Sequence, residues 1–128
     1  MVPIHPRPGP QVAALTPLDD PLSSTPFIST ILGDLRSEIA GRSTLLGFVG
    51  SPFTLAAYAV EGQANRHCIQ TKKMMTAAPE VLHAALDHIA IGIANYACYQ
   101  IESGAQVLRP AGKGGWADGR EGGRAGGR

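Results

Sequence analysis

Aromatic residues are scarce in this chain: three Phe, three Tyr and one Trp make up 5% of 128 residues. Aromatic side chains carry the largest buried areas, so a core here must rest on Leu, Ile, Val and Ala. Cysteine is scarcer still. Cys68 and Cys98 stand far apart with no Cys-x-x-Cys pair, which gives no basis for a disulfide framework or a zinc site and reads as two reduced packing thiols. His5, His67, His83 and His88 likewise lack metal-ligand spacing, and His83 with Asp87 reads as a surface pair one helical turn apart. Charge of one sign is also missing. Eleven Lys and Arg against ten Asp and Glu leave a formal net charge of +1, no electrostatic footprint for nucleic acid. No uniformly apolar run reaches the about 20 residues of a membrane helix, so no membrane partner is expected.

What is present is organised around Leu45 to Gly62, LLGFVGSPFTLAAYAVEG. Leu45, Leu46, Phe48 and Val49 form a short apolar run without polar alternation, the pattern of a parallel strand covered on both faces. Gly50 ends it. Ser51 is placed to cap the first free amides of a helix, and Pro52 suits a first turn where no N–H donor is needed. The stretch therefore predicts a strand, a tight turn and a helix. In parallel sheets such turns lie at the carboxyl ends of strands, where ligand chemistry gathers. Tyr58 and Glu61 follow within reach.

The flanks predict the supporting elements. Thr25 and Pro26 mark a helix start, Ile28, Ile31, Leu32, Leu35 and Ile39 give it an apolar stripe, and Gly41 stops it. That helix is expected to pack on a sheet. After a polar loop from Gln63 to His67, a helical stretch from Cys68 to Met75 has Met74 and Met75 as core filler and Lys72 and Lys73 in solvent. Pro79 opens the strongest helix, running to about Ser103, with Leu82, Leu86, Ile89, Ile93 and Ala97 as its buried stripe and Gly104 as its terminator. Ala105 to Leu108 then begin a second parallel strand, so the order is that of a βαβ crossover. The opening, Met1 to Pro10, holds four prolines and is expected to be extended, without the apolar segment of a secretory signal.

Several of these stretches together resemble the uroporphyrinogen decarboxylase family. GFVGSPFTLAAYAVEG is similar to its signature. LDDPLSSTPFISTILGDLRSEIAGRSTLL (Leu18 to Leu46), Lys72 to Met75 with Pro79, and YQIESGAQV (Tyr99 to Val107) fit in the same order, with cyanobacterial and plastid-type members the most similar. The resemblance covers residues 11 to 107 and implies an α/β fold, a strand-helix-helix-strand portion of a TIM (β/α)8 barrel. A closed barrel takes roughly 250 residues, more than this chain has.

The resemblance also implies a chemistry: cofactor-free and metal-free decarboxylation of the four acetates of uroporphyrinogen III, giving coproporphyrinogen III, in porphyrin, haem and chlorophyll biosynthesis. The pyrrole beside the leaving acetate is protonated and takes up the electron pair of the breaking bond, so such a carboxy-lyase supplies electrostatic preorganisation and general acid catalysis. Tyr58 matches the family's tyrosine and is implied as a substrate-binding residue, because a phenol can donate to a carboxylate. Ser51, Pro52 and Glu61 share its motif and are second choices near the site. Read from the residues alone, Tyr58 is an amphipathic core residue and the other three order a cap and a loop. No residue is assigned to the family's aspartate, arginines, serine or histidine, so none is named as catalytic. A homodimer and a chloroplast stroma, with cytoplasm as the alternative, are implied for the complete protein.

After Leu108 the pattern departs from the family, which continues with an apolar residue, a glutamine and a Phe-Asp-Ser-Trp motif; here Arg109 and Pro110 follow. From Pro110 to Arg128 the chain holds eight glycines, a composition that supplies no buried face. Lys113, Arg120, Arg124 and Arg128 against Asp118 and Glu121 give this tail little charge, and Trp116 is its only stacking residue, so RNA binding is disfavoured. The expected organisation is an extended start at 1–10, a partial barrel domain at 11–108 and a disordered tail at 109–128. A chain with so little of the cleft is expected to be inactive alone. The alternatives are a non-catalytic relative that binds a full-length subunit or a tetrapyrrole and, more remotely, a corrinoid-dependent methyltransferase relative, whose His-x-Cys motif His67-Cys68 does not reproduce. An exposed sheet edge after Leu108 is expected to invite aggregation.

Overall fold

The structure, a computed structural model, describes residues 12, 14–63 and 66–112. The extended start at 1–10 and residues 113–128 of the tail lie outside the described residues. In chain order the elements are α1 (Pro21–Ser24), α2 (Pro26–Glu38), β1 (Leu46–Gly50), α3 (Pro52–Glu61), α4 (Ile69–Ala77), α5 (Pro79–Glu102) and β2 (Val107–Ala111). Pro21, Pro26, Pro52 and Pro79 each open a helix, where the missing N–H costs nothing and φ is already helical. The short α1 is an addition to the sequence reading: Asp20 caps it by accepting from the Ser23 backbone N–H at 3.3 Å. α3 ends at Gly62, whose φ of 73° is the left-handed conformation that lets its N–H reach back to the Tyr58 carbonyl at 2.9 Å.

β1 and β2 pair in parallel, Leu46 opposite Val107 through Gly50 opposite Ala111, with α3, α4 and α5 forming the crossover. β2 runs beyond the expected break. Arg109 and Pro110 sit opposite Phe48 and Val49, which corrects the expectation of disorder from residue 109. Pro110 is tolerated because the alternation of a parallel ladder leaves its nitrogen on the side away from β1.

Two expectations about burial are also corrected. β1 is covered on one face only. Gly47 and Val49 are buried, while Leu46 and Phe48 remain 44% and 52% exposed. α2 does not pack on the sheet: it contacts α1 and α5, none of its residues is buried, and Phe27, Ile31 and Leu35 of its apolar side are exposed. The described core instead lies among α3, α4 and α5, where Val60, Met74, Val81, Leu82 and Ala85 cluster with Val12. Met74 fills this core, but Met75 is exposed. α5, with 24 residues and so about 36 Å long, is long and apolar enough by length and composition to cross a membrane, contrary to the expectation of no such run. It packs against α3, α4 and β1 and carries most of the tertiary contacts that hold the unit together.

Candidate functional site

The turn from β1 into α3 is fixed by its own side chains and by β2. The Ser51 hydroxyl oxygen accepts from the Thr54 backbone N–H at 3.4 Å and the hydroxyl donates to Thr54 Oγ1 at 2.9 Å. The Ser51 backbone N–H donates to the Ala111 carbonyl at 2.8 Å, so the last residue of β2 holds the first cap of α3. Pro52 takes the first helical position. Two turns further on, Tyr58 is half-buried and faces a cavity of about 560 Å³.

That cavity lies beside the carboxyl-terminal half of β1. Phe48, Val49 and Gly50 form one wall, Leu55, Tyr58 and Ala59 of α3 a second, and His88, Ile89, Gly92, Ile93 and Tyr96 of α5 a third. Leu15, Thr16 and Leu18 close it, held in place by Asn95, whose Nδ2 donates to the Leu18 carbonyl at 2.9 Å. Among the described residues the lining is mainly apolar, with Tyr58, His88 and Tyr96 as its ionisable side chains and no Arg or Lys. Such a wall suits the apolar body of a ligand, and the few polar tips would orient it. Any carboxylates on that ligand need cations from outside these lining residues.

Of the sequence candidates, Tyr58 reaches the cavity, whereas Ser51, Pro52 and Glu61 are not among its lining residues. Glu61 works elsewhere. Its Oε1 accepts from the Thr71 backbone N–H at 2.9 Å and from the Thr71 hydroxyl at 3.2 Å, serving the start of α4, where Cys68 makes no side-chain cap. Sequence reasoning did not select His88 and Tyr96. Their signal was present: His88, Gly92 and Tyr96 recur every fourth residue and so share one helix face. Among the described residues no group of three or more His, Cys, Asp or Glu could hold a metal. Cys68 and Cys98 are not joined in a disulfide, the first buried and the second exposed, and His83 and Asp87 are both exposed on α5.

A parallel βαβ unit with a cavity at the carboxyl end of its first strand is the arrangement of the α/β class, in which ligands are commonly bound at strand ends. The sequence profile of the uroporphyrinogen decarboxylase (URO-D) family matches residues 2–118, and the chain belongs to that family. The match reaches beyond the 11–107 stretch expected from the motifs at both ends. Uroporphyrinogen decarboxylases of cyanobacteria are similar to it over most of its length. The enzyme of Picosynechococcus sp. is 56% identical over 99 residues, 77% of this chain and 28% of the relative. That of Thermosynechococcus vestitus is 50% identical over 99 residues, 77% of this chain and 29% of the relative. That of Synechocystis sp. is 54% identical over 90 residues, 70% of this chain and 26% of the relative. The chain thus spans a little over a quarter of the length of the curated relatives it matches.

Proposed function

We propose that these residues form the Tyr58 wall of a uroporphyrinogen decarboxylase, a carboxy-lyase that converts uroporphyrinogen III to coproporphyrinogen III without a cofactor. The observation that carries this reading is the coincidence of two facts. The chain belongs to the family, and the tyrosine of its signature stretch stands on an apolar cavity at a strand's carboxyl end. The βαβ unit is then one portion of a (β/α)8 barrel, whose active sites gather at that end of the strands. The macrocycle supplies the electron sink: a ring protonated beside the acetate accepts the electrons of the breaking C–C bond, carbon dioxide leaves and a proton takes its place. Tyr58 donates its hydroxyl hydrogen bond to the substrate. The apolar lining excludes water from the ring, which strengthens every electrostatic contact made to it. The cations that neutralise the substrate's carboxylates come from other parts of the barrel.

The uncovered apolar side chains of α2 and β1 support the further reading that this unit associates with the rest of such a barrel. A homodimer and a chloroplast stroma are the corresponding readings for the complete protein, the second favoured by cyanobacterial relatives. The test is a chimera in which the 99 matching residues of the Picosynechococcus enzyme are replaced by those of this chain. Chromatography that separates porphyrins by carboxylate number is expected to show product with four carboxylates. A folded chimera that leaves uroporphyrinogen III unchanged overturns the reading.

A further inference from the structure

We propose that His88 is a further substrate-binding residue, whose imidazole N–H donates from α5 to a carboxylate of the substrate while Tyr58 donates from α3. This contact rests on the decarboxylase reading above and deepens it. α5 (Pro79–Glu102) runs back along the sheet to deliver the chain to the start of β2 at Val107, so its first half lies toward the carboxyl ends of the strands. His88 belongs to that half. It lines the cavity together with Gly50, the last residue of β1, at the end of the sheet where the sites of barrel enzymes gather.

His88 is half-buried, and among the described residues it makes no hydrogen bond or ion pair. A polar group held in a mainly apolar wall without a protein partner is one that a ligand can satisfy. Tyr96 differs, because its ring packs against that of Tyr99 with centroids 6.3 Å apart. Neutral or protonated, an imidazole keeps at least one N–H donor. A carboxylate that accepts from it makes a charge-assisted bond, which an apolar, water-poor surrounding strengthens. Among the described residues the lining holds no Asp or Glu, so no acidic lining group competes for the donor or repels an incoming carboxylate. The wall beside His88 is also set before a ligand arrives. One turn along α5, Gly92 lets the Leu18 segment close in, since a Cβ there would stand 3.4 Å from Leu18 Cβ, and Asn95 fixes that segment through the Leu18 carbonyl. The donor therefore works from a position that binding does not have to organise.

Two readouts on the chimera described above test this: steady-state turnover of uroporphyrinogen III, and fluorescence titration with uroporphyrin III, the oxidised macrocycle that carries the same carboxylates and does not lose them. His88→Leu removes the donor. It is expected to raise KM about tenfold or more with a smaller change in kcat, and to weaken uroporphyrin binding by a similar factor. His88→Gln, whose amide again offers an N–H, is expected to recover most of both losses. A packing role alone predicts otherwise, since leucine suits an apolar wall better than glutamine does. Unchanged KM and uroporphyrin affinity in folded His88→Leu overturn the proposal, and turnover by the parent chimera then leaves the decarboxylase reading standing. Uroporphyrin binding that depends on His88 in a parent chimera without turnover supports the contact and overturns the decarboxylase reading. A folded parent chimera that binds no uroporphyrin overturns both. Should His88→Leu fail to fold, His88→Phe, a ring without the N–H, takes its place in the same comparison.

Discussion

Asp20 binds Ser23 twice, the Ser23 hydroxyl donating to Oδ2 at 2.6 Å and the Ser23 backbone N–H to Oδ1 at 3.3 Å. The hydroxyl first and the backbone N–H second hold the carboxyl below its ordinary value of 3.8. A carboxyl lowered in this way contributes stability above its unfolded-state pKa and loses it as pH falls through the lower, folded-state value. NMR titration of the Asp20 carboxyl carbon should give a midpoint below 3.8, and Ser23→Ala should return it upward. Glu61 offers a second test at this scale. Glu61→Ala removes the acceptor for the Thr71 N–H and hydroxyl and should cost about 1 kcal/mol in urea unfolding, with the loss seen first as fraying of α4. The cap made by Ser51 was legible in the sequence because donor and acceptor lie three residues apart. The cap made by Glu61 was not. It spans ten residues and depends on the left-handed turn at Cys68, φ 49°, a conformation that a non-glycine residue does not announce.

At the scale of elements, Tyr99 is the tie between α5 and the start of α2. Its hydroxyl accepts from the Ser29 N–H at 3.0 Å and donates to the Thr25 carbonyl at 2.8 Å, and its ring is buried. Tyr99→Phe leaves both backbone groups without that partner and should destabilise the chain by about 1–3 kcal/mol, read as a lower denaturation midpoint with an unchanged slope. The starts and stops of α2, α3 and α5, and the parallel crossover, were legible because proline, glycine and apolar periodicity act within a few residues. Coverage was not legible. The stripe of Ile28, Ile31, Leu32, Leu35 and Ile39 records which side of α2 is apolar, but not what lies against it, and the same holds for Leu46 and Phe48 of β1. Nor did the uninterrupted apolar run of β1 reveal that Gln100, more than fifty residues away in sequence, reaches its edge.

For the whole molecule, the cavity is assembled from four separate parts of the chain: the Leu15–Leu18 segment, β1, α3 and α5. Tyr58 was recognised through its motif, whereas His88 and Tyr96 join the cavity lining only because α5 lies against β1. The exposed Phe27, Ile31, Leu46 and Phe48 side chains and a span of 28% of the Picosynechococcus relative fit a unit that works as part of a larger barrel. The most direct test of this account is the turnover of uroporphyrinogen III by the chimera described above, compared with the same chimera carrying Tyr58→Phe. Among the described residues the Tyr58 hydroxyl has no hydrogen-bond partner in the protein, so the substitution should change stability by no more than about 0.5 kcal/mol. The account predicts that kcat/KM nevertheless falls by about tenfold or more, the loss of one hydrogen bond to the reacting substrate. A folded Tyr58→Phe chimera as active as its parent would contradict it.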